Sequence, residues 1–335
     1  MLAGPRAAGR RRRTLGIALG MLLAAGFPLI VVRELFVLQI LTFVFIFAIY
    51  AQSWNLAAHS GQFSLGHATF LGLGAYASVL AAGRAGLPAA AAMFMGPVVP
   101  ALVGLGMARL CLRLREWYFG MVTFGFTAIV QVLVVEQLGG LTNRWDGLDA
   151  ERLWPAGLSV EQAAVLNYLA ALALMVATYL VAAAMMYSRS GLAFAAIHDN
   201  ELVATVSGVN VRRYRLAAML LSGYLAGLAG ALNSHTLTRH ISPGIFGVED
   251  SIWPLLYTVA GGLRTPEGPI LGTLVVRVFW EWALRRLGGF ESLILIGLAL
   301  ALVVTFFPRG LYDLLARVTT RLAGPAPGAR RENMR

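Results

Sequence analysis

Long apolar segments, separated by short polar ones, follow one another along almost the whole chain. A segment of about 20 apolar residues can cross the ~30 Å hydrocarbon core of a bilayer as a helix. Ten such segments can be placed, at residues 14–32, 35–58, 67–83, 88–110, 117–138, 164–187, 216–237, 251–263, 268–286 and 290–307. The pattern therefore predicts an all-α fold, a polytopic helical membrane protein with about ten transmembrane helices.

The amino-acid composition also favours a membrane protein. Apolar residues make up 58% and charged residues 13% of the 335 residues, and the mean hydropathy is +0.72. Soluble domains average about 25% charged residues, so a water-soluble globule of this size is excluded. The chain has no lysine, and all 27 basic residues are arginine. Because a Walker A loop needs a lysine, the chain does not supply such a nucleotide site itself.

The arginines give the chain a net charge of +11 and occupy the short segments between apolar stretches. Short loops rich in arginine stay on the cytoplasmic side of a membrane. This rule predicts a basic cytoplasmic N-terminal arm at 1–13, a transmembrane domain at 14–312 with a cytoplasmic loop at 188–215, and a basic cytoplasmic tail at 313–335. Residues 285–286, both arginine, disagree with the rule because the alternation of spans places them outside.

Two glycine-rich segments, at residues 61–67 and 261–269, interrupt the apolar pattern. Glycine together with proline does not continue a helix. These segments predict either tight turns or broken, re-entrant helices whose free backbone N–H groups receive a solute carboxylate. The adjoining apolar segments 67–83 and 251–263 are short, as half-helices would be. The candidate translocation path consists of Gly61, Gln62, Ser64, Gly66, His67, Gly261 and Gly262.

Few charged residues lie within the predicted spans. Arg277, Glu281 and Arg285 are four apart, so they share one helix face. They form either a polar lining for a zwitterionic solute or, as the favoured interpretation, a structural ion pair near the helix end. The five histidines show no metal-ligand spacing, although His59 and His67 bracket the first glycine-rich break. The sequence predicts no catalytic residue, metal site or cofactor, and it favours transport over catalysis.

The loop at 188–215 carries the signals of a short, separately capped helix. Asn200 is a good N-cap and Gly208 a good helix stop, and the residues between them form about two turns. Leu202, Val203 and Val206 give these turns an apolar face. Such a helix outside the membrane either docks on a partner protein or lies on the bilayer surface.

Four motifs resemble the permeases of branched-chain amino-acid ABC importers. They are Gly61–Ala68, the loop Gly191–Leu216, the turn Gly261–Gly272 and the terminal Phe306–Leu311, and they cover most of the chain in this order. The Ser-Leu-Gly-His sequence in the first motif and Phe-Pro-Arg-Gly-Leu in the last favour the LivM-type subunit. His198 departs from the family, in which an arginine is expected.

The resemblance implies one subunit of a larger importer in the bacterial inner membrane, with both termini cytoplasmic and residues 14–312 as the permease domain. Its implied partners are a second permease subunit, forming a heterodimer, two cytoplasmic ABC ATPase subunits, an extracytoplasmic solute-binding protein and the lipid bilayer, with no nucleic acid. The short helix in the loop would dock on an ATPase. The implied coupling residues are Asp199, Asn200, Glu201, Leu202, Ala204, Val206 and Gly208.

The expected function is import of branched-chain or related amino acids, driven by ATP hydrolysis in separate subunits. A permease of the same class for urea, short amides or other small polar solutes is the alternative, because related sequences share the motifs and the binding protein sets most of the selectivity. An ion-coupled secondary transporter is a different class. It requires acidic residues inside the spans, which this sequence almost lacks.

Overall fold

A computed structural model describes residues 26, 34–112, 114, 116–155, 157–263 and 265–287, with 291, 294–295, 297–298, 301–302, 305 and 310–314. The predicted N-terminal arm, the predicted spans at 14–32 and 290–307 and the basic tail lie wholly or mostly outside these residues. So does the Phe306–Arg309 part of the terminal motif.

Helices account for most of the described chain, which confirms the all-α prediction. Leu133–Gln137 and Ser234–Thr238 are π-helical turns, and Pro243–Phe246 is a 3-10 helix. The α-helices are α1 (Leu35–His59), α2 (Ala68–Gly83), α3 (Ala89–Met95), α4 (Val98–Leu110), α5 (Glu116–Val132), α6 (Gly139–Thr142), α7 (Val160–Met186), α8 (Arg189–Asp199), α9 (Glu201–Val206), α10 (Val211–Asn233), α11 (Val248–Gly261) and α12 (Gly268–Leu287).

Every predicted span between residues 35 and 286 coincides with one helix or a pair of helices. Among the described helices, five are long and apolar enough to cross a membrane: Leu35–His59, Ala89–Leu110, Trp117–Gln137, Val160–Met186 and Val211–Thr238. The protein is therefore a multi-pass membrane protein. Helices α2 and α11 have only 16 and 14 residues, about 24 and 21 Å of helix, which is less than a bilayer core.

Helices α1 and α10 form the centre of the bundle. Helix α1 is buried from Val44 to Ala58, and α10 packs against α1, α2 and α4. Small residues let these backbones approach closely. A Cβ atom on Gly230 would lie 2.0 Å from the carbonyl oxygen of Leu71. The buried small residues of α10 thus form a helix-packing surface.

Two loops at one end of the bundle pair as a short antiparallel ribbon. Strand β1 (Leu148–Asp149) pairs with β2 (His240–Ile241). We call this end, formed by residues 139–155, 157–159 and 235–247, the ribbon end. Helix α7 begins here and extends for 27 residues, about 40 Å. It therefore reaches the opposite side of the bundle, where residues 187–210 form what we call the loop end.

Candidate functional site

The short helix predicted in the loop is present as α9. The Asn200 side-chain oxygen accepts hydrogen bonds from the backbone N–H groups of Leu202 and Val203 at 3.0 and 3.1 Å. This confirms Asn200 as the N-cap. After the helix, Gly208 has a φ of +85°, and the N–H of Val209 donates to the carbonyl of Ala204 at 3.0 Å. Glycine adopts this left-handed conformation without strain, so Gly208 is the helix stop that the sequence predicted.

An ion pair fixes α9 to the long helix α10. The guanidinium of Arg215 donates to both carboxylate oxygens of Glu201, at 3.1 and 2.9 Å. Arg215 also donates to the carbonyl oxygen of Leu112 at 3.2 Å, so it joins α9 to the turn after α4 as well. Its side chain is 8% exposed and that of Glu201 51%. Sequence reasoning missed Arg215, because the pairing depends on how the chain turns between the two residues.

The outer face of α9 is apolar and open to the surroundings. Leu202 and Val206 are 77% and 88% exposed, and Val203 is also exposed, whereas Ala204 is buried against the bundle. Asp199 is exposed next to them. A rigidly held helix with its large apolar side chains directed outward is suited to docking. Their orientation fits either of the predicted surroundings, a partner groove or the bilayer surface.

The first glycine-rich break, residues 61–67, is buried inside the bundle. Trp54 donates to the carbonyl of Ser64 at 2.7 Å, and a ring nitrogen of His67 lies 2.9 Å from the Ser53 hydroxyl. The hydroxyl of Thr127, on α5, donates to the carbonyl of Gly66 at 3.1 Å. These contacts connect the break to α1 and α5.

The two histidines that bracket this break have separate surroundings. The ring of His59 packs edge-on against Phe194, whereas His67 lies beside Tyr50 and Phe70. In the described part of the chain, no group of three or more His, Cys, Asp or Glu residues is close enough to hold a metal ion. The break therefore offers packing and hydrogen bonds rather than a ligand cluster.

The second glycine-rich segment is a tight turn between two helices that pack together, α11 and α12. A Cβ atom on Gly261 would lie 1.7 Å from the carbonyl oxygen of Gly268, so only glycine permits this approach. Glu267 accepts hydrogen bonds from the hydroxyls of Tyr179 and Tyr187 at 2.8 and 3.2 Å. The turn is thereby held against the end of α7, a role of Glu267 that the sequence did not indicate.

A cavity of about 490 Å³ opens at the ribbon end. Its walls come from the start of α1, residues 152–155 and 158, the first turns of α7, the π-helical turn after α10, and α12. Arg277 and Glu281 line it and form an ion pair of 2.6 Å. The ion pair that the sequence favoured is therefore present, and it also faces a cavity, whereas a lining for a zwitterionic solute stays a prediction. None of the seven residues predicted for the translocation path is among the described residues lining it, and that path stays a prediction.

Comparison with known proteins identifies the family. The family model for the branched-chain amino acid transport system / permease component matches residues 36–307. The high-affinity branched-chain amino acid transport system permease proteins LivM of Escherichia coli (strain K12) and Salmonella typhimurium are 28% and 26% identical to the chain. These matches cover 82% and 92% of this chain, and 71% and 77% of the respective relatives.

A more distant match is partial. The nucleoside ABC transporter permease protein NupC of Lactococcus lactis is 30% identical over 29% of this chain and 30% of its own length. No solved structure matches significantly. Because the family model covers well over half of the chain, the protein belongs to the permease components of branched-chain amino acid transport systems, and is a transport component of the ABC type.

Proposed function

We propose that the chain is the transmembrane permease subunit of an ABC importer that moves branched-chain or related amino acids into the cell. ATP hydrolysis takes place in two cytoplasmic ATPase subunits, a second permease subunit completes the pathway, and an extracytoplasmic binding protein delivers the solute. Support comes from the family and from the function that the two LivM relatives are named for, and these relatives match most of the chain. The absence of lysine also favours ATP hydrolysis in separate subunits, because the chain lacks the residue that a Walker A loop needs.

The observation that carries this proposal is helix α9. Its exposed Leu202 and Val206 would enter a groove on an ATPase. A movement of the ATPase would then pass through the Glu201–Arg215 ion pair to α10. Helix α10 packs against α1, α2 and α4, so it carries the displacement into the centre of the bundle. By linkage, a loaded binding protein that favours one state of the bundle must also bias the ATPases.

This assignment orients the protein in the membrane. The loop end would face the cytoplasm together with the N-terminal arm at 1–13 and the tail at 313–335, whose arginines agree with that side. The ribbon end would face outward toward the binding protein. For a bacterial importer the membrane is the inner one.

The test is uptake into proteoliposomes that contain both permeases, the ATPases, enclosed ATP and external binding protein. We expect ATP-dependent uptake of L-leucine, with weaker competition by urea and short amides. Leu202→Asp and Val206→Asp should each abolish uptake while the complex's lipid-embedded part still assembles, because both side chains are on the surface. Val248→Asp is the matched control, an exposed apolar residue at the start of α11. Uptake driven by an ion gradient without ATP would refute the proposal.

A further inference from the structure

The cavity at the ribbon end has the size and position of a solute site. Its volume of about 490 Å³ falls within the range of about 300–1,000 Å³ that is usual for small-molecule sites. It is lined by the first turns of α7, whereas the loop end follows the last turn of the same 27-residue helix. The cavity and helix α9 therefore lie at opposite ends of the bundle. This arrangement suits an importer, in which the solute enters on one side of the membrane and the ATPases bind on the other.

The inner wall of the cavity carries a charged group of each sign. The side chains of Arg277 and Glu281 are 19% and 20% exposed and touch each other through one nitrogen and one oxygen. The Nε atom of Arg277 is buried without a hydrogen-bond partner, and the ring of Phe43 covers the guanidinium at 3.8 Å. Guanidinium groups bind carboxylates, and carboxylates accept from ammonium groups. A ligand with both groups could pair with both residues.

The mouth of the cavity is positively charged. Arg152 and Arg239 line it, and both are exposed. Neither guanidinium forms an ion pair or hydrogen bond with a described residue. The ribbon holds the two segments side by side, since the N–H of Ala150 donates to the carbonyl of Arg239 at 2.9 Å. With three arginines and one glutamate among the described lining residues, the cavity attracts a carboxylate.

The remaining wall combines apolar and polar side chains. Ile40, Phe43, Trp154 and Leu237 supply its apolar part, and Trp154 is held by a 2.8 Å hydrogen bond to Asn167. The polar side chains that also line it are Gln39, Thr42, Asn167 and Thr236, of which the last three bond to backbone carbonyls. His235 adds no free polar group, because its two ring nitrogens contact the Glu151 carbonyl and the Ser78 hydroxyl, each at 2.8 Å. An apolar side chain would therefore be accommodated beside the charged pair without losing hydrogen bonds.

We infer that this cavity is a binding site for a zwitterionic α-amino acid with an apolar side chain, whose carboxylate pairs with the arginines and whose ammonium group pairs with Glu281. The inference rests on the proposed function and deepens it, since it assigns the solute to particular residues of this chain. The concave shape and the partly buried ion pair favour a small molecule over an acidic surface of a partner protein.

The experiment measures binding of tritiated L-leucine to the assembled transporter in lipid nanodiscs, without ATP or binding protein. We expect saturable binding. Two competitors, 4-methylpentanoate and 3-methylbutylamine, each lack one charged group of leucine and should bind about tenfold more weakly. Arg277→Gln and Glu281→Gln should each weaken leucine binding by about tenfold or more. Arg286→Gln, exposed further along α12 and outside the cavity, is the matched control and should bind like the wild type.

Arg152→Gln and Arg239→Gln test the cavity site if the α12 variants fail to assemble. Both side chains are exposed, and their guanidinium groups bond to no described residue, so the substitutions should not disturb folding. They should weaken the binding of leucine and 4-methylpentanoate several-fold, more so at low salt, and should not weaken the binding of 3-methylbutylamine. The inference is overturned if leucine does not bind, if Arg286→Gln has the same effect, or if the mouth variants change only the affinity for the binding protein.

Uptake by the same transporter, reconstituted into proteoliposomes with enclosed ATP and external binding protein, separates the two proposals. ATP-driven leucine uptake with binding unaffected by every cavity variant would overturn the cavity site and leave the importer function standing. Leucine binding that depends on the cavity residues, in a transporter with no ATP-driven uptake, would overturn the importer function and leave the cavity site standing.

Discussion

Two arginine–glutamate pairs lie at opposite ends of the bundle and differ in what they connect. At the loop end, Arg215 joins Glu201 from another helix and also the carbonyl of Leu112, so three segments meet at one guanidinium. At the ribbon end, Arg277 and Glu281 belong to the same helix and touch through one nitrogen and one oxygen. The first pair fixes tertiary geometry, and the second keeps hydrogen-bonding capacity that faces a cavity.

The difference teaches that a short distance between charges does not by itself reveal a role. A pair on one helix at a spacing of four adds only about 0.2–0.5 kcal/mol to helix stability. A pair between separate segments determines where one segment lies against the other. We therefore expect the loop-end pair to control coupling and the ribbon-end pair to control binding, and the following variants test this contrast.

Among the variants that test this contrast, Glu201→Arg should have the largest effect. Two guanidinium groups would then face each other, and the mostly buried Arg215 would lose its counter-ion. We expect α9 to detach, with leucine uptake reduced by about tenfold or more while ATP hydrolysis continues. The exchange Glu201→Arg with Arg215→Glu should recover only part of the uptake, because glutamate cannot donate to the carbonyl of Leu112.

Chemical labelling of Cys111 tests whether the contact of Arg215 with Glu201 and Leu112 is intact. Cys111 is the only cysteine of the chain, it precedes Leu112, and burial raises the pKa of its thiol. Maleimide labelling of this thiolate should be slow in the wild type and faster in Glu201→Arg. Equal labelling rates together with normal uptake would contradict the role given to the ion pair.

A smaller effect is expected from Ala204→Trp. Ala204 lies on the buried face of α9 and is 2% exposed, and overpacking such a position typically costs about 1–3 kcal/mol. The bulky ring should displace α9 and weaken ATPase association, measured by co-purification. Thr205→Trp, at the neighbouring exposed position, is the control and should keep the ATPases bound. Loss of the ATPases in both variants would point to a general disturbance of the loop.

Removal of the N-cap should act more mildly still. Asn200→Ala deletes the acceptor of two backbone hydrogen bonds, which typically costs about 1 kcal/mol. Hydrogen exchange at the amides of Leu202 and Val203 should become faster, with uptake only moderately reduced. Asn200→Ser retains a capping oxygen and should exchange like the wild type. Unchanged exchange in the alanine variant would mean that docking alone holds the helix.

The smallest effect on stability is expected at the ribbon end. The double variant Arg277→Glu with Glu281→Arg preserves a pair four residues apart, so unfolding should shift by less than about 1 kcal/mol. Thermal unfolding of the detergent-solubilised complex measures this shift. A large loss of stability would show that this pair also fixes the tertiary structure, as the pair at the loop end does. The two pairs would then not differ in role.

Much of the architecture follows from short stretches of sequence. Apolar segments predicted the positions of α1 to α5, α7 and α10 to α12, because the membrane requires backbone hydrogen bonds to be made within the segment itself. The caps at Asn200 and Gly208 were also predictable, since a cap bonds to backbone groups two to five residues away.

The tertiary structure alone decided which distant residues meet. Arg215 pairs with Glu201, Glu267 with Tyr179, and β1 with β2, and the two strands are too short to show a periodic pattern. The sequence placed Arg277 and Glu281 on one helix face and left open whether they line a cavity, because the other walls come from segments that are remote along the chain. Local hydrogen bonds and hydropathy act within a few residues, whereas a cavity exists only where several packed helices leave space between them.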